Sequence, residues 1–206
     1  MSQHKLTYFN IRGLGEGARL IFHQAGVEFE DNRLSREDWP SLKPSTPFGQ
    51  LPLLEVDGEV LAQSTAIFRY LGRKFGLAGK TPMEEAQVDS IFDTYKDFIA
   101  EVRPYFLVAG ENYPGDKEKL LKELVIPARE KHFPGLEKFL NKSGSGYLVG
   151  DSVTWADIVI SDSLATWETL VPDLLGNYPV LKKFVEHVRD LPNIKKWIAE
   201  RPETTI

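Results

Sequence analysis

The sequence predicts an α/β unit followed by an all-helical unit. Three observations predict it. Short apolar runs at 4–9, 27–34, 51–56 and 59–61 read as strands, with one helical stretch between the first two. The Asp57-Gly58 pair separates the last two runs, and such a pair is a strong hairpin signal. Past Phe75 no strand pattern occurs, and apolar residues recur at helical spacing.

Taken in order, His4 to Phe9 is the first strand, and Gly13, Gly15 and Gly17 follow it. Ala18, Ile21, Phe22 and Ala25 then mark one helix face, which Gly26 stops. Val27 to Leu34 alternates and gives a second strand, so the opening is β-α-β with a parallel pair. Pro40, Pro44, Pro47 and Gly49 make Ser35 to Gln50 a loop holding a short irregular helix. After the hairpin, Ser64 is a natural N-cap for a helix with Phe68, Leu71 and Phe75 on one face.

The order to this point is β-α-β-α-β-β-α, over residues 1–78. A second domain spans residues 81–206. Thr81-Pro82-Met83-Glu84 opens it as a capping box with proline at the first helical position. Val88, Ile91, Phe92, Tyr95, Ile99 and Val102 carry that helix to Pro104. Lys117 to Leu140 is helical, with kinks or breaks expected at Pro127 and Pro134. Thr154 and Asp157 form a second capping box, with Val153 and Ile158 placed for a hydrophobic staple. Tyr178 to Arg189 and Asn193 to Glu200 complete the helical bundle.

Composition narrows the function. The chain has 206 residues, a net charge of −5 and no cysteine. The lack of cysteine excludes disulfides, thiolate metal sites and a sulfur nucleophile of the protein's own. The acidic balance argues against phosphate-backbone binding, so no nucleic-acid partner is expected. No apolar run approaches the length of a membrane helix, and no leader pattern is read, so the expected compartment is the cytoplasm.

Several short motifs have bland readings. Gly13-x-Gly15-x-x-Ala18 formally fits a dinucleotide fingerprint, but the unit closes with a hairpin where such a domain needs more parallel strands. The plainer reading is a tight strand-to-helix turn. Gly79-Lys80-Thr81 imitates a phosphate loop, with Lys74 where its first glycine belongs. His4, His23, His132 and His187 lack ligand spacing, so no metal site is expected. Glu28, Glu30 and Asp31 read as solvated faces and caps.

Other residues carry two readings. Pro52, inside an apolar run, is either an edge-strand proline in trans or a cis bond opening the third strand. In the latter case the unit resembles the thioredoxin-like fold. Gln63-Ser64 is either an ordinary cap or a carboxylate site at a helix N-terminus. Tyr8 ends the first strand and alone would read as a half-buried aromatic.

These residues occur together. Tyr8 to Gly13, Trp39, Lys43, Pro47 to Pro52, Leu54 to Gly58, Gln63-Ser64 and Ser152 to Asp157 resemble the cytosolic glutathione transferases over essentially the whole chain. The likeness is greatest to the sigma class. Pro47 to Gln50, Leu77 to Lys80 and Arg201 to Thr204 are similar to nematode members.

The resemblance implies a thioredoxin-like N-terminal domain and a helical domain that lines an electrophile site and a dimer interface. It implies that Tyr8 is catalytic and donates to the glutathione sulfur. Trp39 and Lys43 would hold the glycine end of the tripeptide. Gly49, Gln50 and Leu51 would offer backbone to the cysteinyl part, and Gln63 and Ser64 would take the γ-glutamyl carboxylate. Asp97 would reach the γ-glutamyl ammonium on the neighbouring subunit of a homodimer. Phe9, Ile11 and Leu14 would line the site for small hydrophobic electrophiles, with glutathione as co-substrate and no other cofactor. Three positions depart from the prostaglandin-forming members: Leu14 stands for an arginine, Lys96-Asp97 for an acidic pair, and Tyr105 is the aromatic nearest their tryptophan. Prostaglandin isomerisation therefore does not carry over. A second class, a carrier of haem or other apolar ligands, also occurs in the family, and Tyr8 favours catalysis over it.

Overall fold

The protein is described by a computed structural model that covers residues 3–110 and 113–204. It forms two compact units. One joins the chain up to Ala78 with the segment from Asp190 onward, and the other runs from Gly79 to Arg189.

The first unit holds strands β1 (His4–Phe9), β2 (Glu30–Leu34), β3 (Leu53–Val56) and β4 (Glu59–Ala62) in the order β2-β1-β3-β4. β1 and β2 are parallel, with Tyr8 opposite Arg33, and the other pairings are antiparallel. Helix α1 (Glu16–Ala25) makes the crossover, α2 (Trp39–Leu42) lies in the proline-rich loop, and α3 (Ser64–Lys74) follows the hairpin. This is the thioredoxin-like order expected from the sequence.

Local chemistry explains the boundaries. Gly26 adopts φ 66° at the end of α1, and the Val27 N–H bonds back to the Phe22 carbonyl at 3.1 Å. That closure uses the residues the sequence reading gave to β2, so the strand starts at Glu30 rather than Val27. Pro52 has no ladder N–H, so β3 begins at Leu53 rather than Leu51. The Leu51-Pro52 bond is cis. At the hairpin Asp57 and Gly58 have φ 51° and 90°, the positive values that a two-residue turn of this hand requires.

The core of this unit includes Leu6, Ile21, Phe22, Leu54, Ile67 and Leu71, all fully buried. His4 lies among them, edge-on to Phe22 at 5.3 Å and to Phe75 at 5.9 Å. Neither of its ring nitrogens has a hydrogen-bond partner. Burial, assisted by Lys74, holds its pKa below 6.5.

The second unit contains α4 (Pro82–Gly110), α5 (Lys117–Leu120), α6 (Ile126–Ser143), α7 (Trp155–Leu170) and α8 (Pro179–Arg189). Thr81 accepts the Glu84 N–H at 3.2 Å, but Glu84 reaches back to the Lys80 N–H at 2.5 Å, one residue further than a capping box requires. The sequence reading ended α4 at Pro104, yet the helix runs through it to Gly110. Tyr105 explains this: it is buried, it stacks on Trp167 at 6.1 Å, and its hydroxyl donates to the Leu170 carbonyl at 3.0 Å. Tertiary packing thus outweighs the lost helical bond. The break expected at Pro127 is a single π-helical turn, Leu121–Val125, after which Pro127 sits in the first turn of α6. Pro134 lies inside α6 without ending it.

Aromatic side chains fill the core of this unit: Phe92 meets Trp155 at 4.7 Å and Phe98 meets Phe133 at 5.1 Å. The start of α7 is a full capping box. Asp157 accepts the Thr154 N–H at 2.7 Å, the Thr154 hydroxyl at 2.6 Å and the Leu148 N–H at 2.8 Å. Burial nevertheless pushes its carboxyl from 3.8 up to about 6.

Helix α9 (Pro192–Glu200) belongs to the first unit. Trp197 stacks on His23 at 4.1 Å, and its indole N–H donates to Glu16 of α1 at 2.8 Å. Within the span 81–206, read from the sequence as one helical domain, the residues from Asp190 onward pack with the first unit. A buried carboxylate on α1 draws the later helix to itself.

Two stability predictions follow from these groups, with opposite pH dependence. Asp157→Ala should cost about 0.5–2 kcal/mol at neutral pH, the range for cap loss, with activity per folded molecule retained. The raised Asp157 pKa favours the folded state at low pH and loses that contribution as pH rises through 6. The gap between variant and parent in urea unfolding should therefore widen from pH 7 to pH 5, and a narrowing gap would contradict the assignment. His4, with a lowered pKa, stabilises the fold above 6.5 and loses that contribution as pH falls. His4→Leu should flatten the acid limb of the stability curve, and an unaltered limb would place the acid sensitivity elsewhere.

Candidate active site

Tyr8 is the penultimate residue of β1 and is 7% exposed. The chain then turns through a short 3-10 segment, Gly13–Gly15, into α1. That turn wraps the Tyr8 ring. A β-carbon on Gly15 would lie 2.5 Å from the ring, and one on Gly13 would lie 2.7 Å from the hydroxyl oxygen. Gly13 also has φ 40°. The two glycines are thus needed for close approach as well as for backbone freedom. The Leu14 N–H donates to the Tyr8 hydroxyl at 3.1 Å, which fixes the oxygen's place. A phenol that accepts one such bond still carries an O–H to donate.

Beside this turn is an open cavity of about 300 Å³, lined by Phe9, Leu14, Trp39, Gly49, Gln50, Leu51, Gln63 and Ser64. The residues come from the end of β1, the turn, α2, the loop before β3 and the start of α3. Phe9 and Trp39 meet edge-on at 5.9 Å. Gly49 has φ 63°, and the Lys43 side chain runs within about 3.4 Å of where its β-carbon would be. Gln63 donates to the Gln50 side chain at 3.1 Å.

Gln63, not Ser64, is the N-cap of α3, and its φ of 74° is unusual for a residue with a side chain. Ser64 is the first helical residue, so its N–H and the next belong to the open end of the helix dipole. The reason for the shift is conformational: a cap must leave helical geometry, and here Gln63 does so.

The structure brings most of the sequence-derived residues together. Ile11 is half-buried and absent from the cavity lining, and its carbonyl accepts from Arg19 at 2.7 Å. Asp97 is an exposed residue of α4 in the helical unit. Among the described residues no group of acidic and histidine side chains could hold a metal, and no helix is long and apolar enough to cross a membrane.

Sequence reasoning missed the support beneath the site. Arg19 is fully buried. Its guanidinium donates to Asp31 at 3.0 Å, to Glu16 at 3.2 Å, and to the Phe9 and Ile11 carbonyls at 3.3 and 2.7 Å. It also lies 6.0 Å from the centre of the Tyr8 ring. Asp31 is therefore an ion-pair partner of Arg19 and Arg33, not a solvated acid. Glu16 is buried too, and its second oxygen accepts from Trp197 and from Arg201 at 2.9 Å. A signal was available: Leu20-Ile21-Phe22 directly after Arg19 is a run too apolar for a one-sided helix.

Residues 4–73 match the N-terminal domain of glutathione S-transferases, and residues 96–201 match their C-terminal domain. The chain is 76% identical to glutathione S-transferase 1 of Ascaris suum over 99% of both proteins. Its structure superposes on that of the glutathione S-transferase from Ascaris lumbricoides with a TM-score of 0.97, at 76% identity, covering 99% of this chain and 100% of the other. A Nu-class transferase of Haemonchus contortus is 50% identical with a TM-score of 0.92, over 100% of both chains. A monomeric transferase of Necator americanus is 52% identical with a TM-score of 0.96, over 99% and 100%. The chain belongs to the glutathione S-transferase family, and it is a transferase.

The glycine packing gives a direct test. Gly15→Ala places a methyl group into the Tyr8 ring at a position whose own backbone tolerates alanine. It should cost about 1–3 kcal/mol by overpacking, read by urea unfolding. A cost near zero would show that the ring is not confined.

Proposed function

We propose that the chain ionises the thiol of glutathione and transfers the thiolate to small apolar electrophiles, a detoxification reaction. The observation that carries this reading is the Tyr8 hydroxyl, fixed by the Leu14 N–H beside a cavity that ends on the N-terminus of α3.

Glutathione carries a carboxylate at each end and one ammonium. The open N–H groups at Ser64, with the positive end of the α3 dipole and the Gln63 amide, suit the γ-glutamyl carboxylate. Trp39 and Lys43 suit the glycine carboxylate. Gly49, Gln50 and Leu51 would pair with the cysteinyl backbone, placing sulfur near Tyr8. A free thiol has a pKa of about 8.5, and a phenolic hydrogen bond favours its ionised form. The thiolate attacks the electrophilic carbon, the leaving group departs with its electron pair, and the thiol proton passes to solvent. Phe9 and Leu14 would offer apolar surface to the electrophile. Glutathione is the co-substrate, and the proposal calls for no further cofactor.

Within the family we assign the chain to a sigma-class, nematode-type enzyme of the cytoplasm, on the motifs from Tyr8 to Ser64. We assign it a homodimer in which Asp97 meets the partner's γ-glutamyl ammonium. The exposed carboxylate of Asp97 on the long helix α4 supports this reading.

Turnover of chlorodinitrobenzene with glutathione tests the activity, and a protein that binds glutathione without turnover would be a carrier. Tyr8→Phe should lower turnover by about 10- to 1000-fold with little change in glutathione binding, and an undiminished rate would remove Tyr8 from catalysis. Asp97→Ala should weaken glutathione binding by about 10- to 100-fold without loosening the dimer. Sedimentation of a fully active monomer would overturn the shared site.

A further inference from the structure

We propose that the segment from Asp190 onward holds the Tyr8 turn in its working geometry through one buried carboxylate, so that Glu16, Trp197 and Arg201 are positioning residues for sulfur activation. This rests on the reading of the chain as a glutathione-activating enzyme.

The chain of contacts is short. The carbonyls of Phe9 and Ile11, directly after Tyr8, are held by Arg19. Arg19 shares one oxygen of Glu16. The other oxygen of Glu16 takes the Trp197 indole at 2.8 Å and Arg201 at 2.9 Å. Glu16 also closes the turn with its backbone, donating to the Arg12 carbonyl at 2.9 Å, while Gly15 donates to the same carbonyl at 3.2 Å. The later segment touches the turn a second time, where Arg12 donates to the Thr204 carbonyl at 3.5 Å.

Burial makes these contacts matter. The Glu16 side chain is 3% exposed and that of Arg201 is 9% exposed. A carboxylate that loses two donors in such a place is left uncompensated, and its nearest remedy is Arg19. Arg19 would then have to share its N–H groups differently among Glu16, Asp31 and the two carbonyls. Those carbonyls belong to the stretch that leaves the residue whose hydroxyl must meet sulfur. The tolerance there is small, because a β-carbon on Gly15 would already lie 2.5 Å from the Tyr8 ring. Glu16, Trp197 and Arg201 are all absent from the cavity lining, so a change at Trp197 or Arg201 would reach the chemistry through Glu16 and not by contact with substrate.

The test uses the full chain and three mild variants. Trp197→Phe keeps a ring against His23 and removes one donor, and Arg201→Gln removes a charge. The readouts are the pH profile of kcat/KM with chlorodinitrobenzene, the ultraviolet thiolate band of bound glutathione, and the glutathione dissociation constant. In the folded variants the pKa of the bound thiol should rise by about half to one unit. At neutral pH kcat/KM should fall about 3- to 10-fold, with glutathione affinity held within about twofold. Arg201→Lys, which can still donate to Glu16, should recover most of the rate. If Arg201→Gln fails to fold, Trp197→Phe decides alone. Folded variants with the parental thiol pKa, or with weakened glutathione binding and nothing else, would overturn the proposal. A parent that shows neither thiolate band nor turnover would instead overturn the activity on which it rests.

Discussion

A guanidinium without exposed surface must find acceptors inside the protein, and in this chain Arg19 organises the first unit around that need. Its acceptors come from four pieces of chain: the end of β1, the turn after it, α1 itself and β2. Each piece is thereby placed relative to the others, and Tyr8 is placed among them. A buried charge of this kind is a weak source of net stability, since its desolvation offsets much of the attraction. What it supplies is a single arrangement, because any shift of one acceptor leaves another group unpaired. The glycine turn is the complementary half of the arrangement. It passes so near the Tyr8 ring that a β-carbon at Gly13 or Gly15 would clash with it.

The helical unit solves a similar problem by different means. Asp157 is as deeply buried as Glu16, yet its described partners are two N–H groups and a hydroxyl rather than cations. Neutral donors compensate a carboxylate less fully, which is why burial prevails and its pKa rises. The ion-pair partners of Glu16 are two arginines. The remainder of the helical unit is held by aromatic contact, with Trp155, Trp167, Phe98 and Phe133 buried along α4, α6 and α7.

What was legible in the sequence was local. The Asp57-Gly58 turn, the Gly26 stop, the Thr154–Asp157 box and the proline of the cis bond each announce themselves within a few residues. The site residues around the cavity were legible only jointly, through a resemblance, because Trp39, Gln50 and Ser64 are unremarkable one at a time. The failures are all non-local. Pro104 reads as a stop until Tyr105 is seen against Trp167. Asp31 reads as a surface acid until Arg19 is found beside it. The contact of the α9 indole with a carboxylate on α1 is announced by nothing within that helix. The Ile11 carbonyl, which the Arg19 guanidinium holds, is a group no residue pattern points to.

The first unit is assembled from two stretches of chain separated by the whole of the second. During synthesis the strands, the glycine turn and Glu16 emerge first, and the donors that answer Glu16 emerge only after the helical unit has been made. The usual order, in which the earlier domain folds while the later one is still being translated, is therefore reversed in its final step. A nascent chain halted after Arg189 would hold every residue of the helical unit, while in the first unit the Glu16 carboxylate would still lack two donors. Completion of the turn around Tyr8 is thus tied to the arrival of helix α9, and a product shortened before it is marked by an unfinished interior in its oldest part.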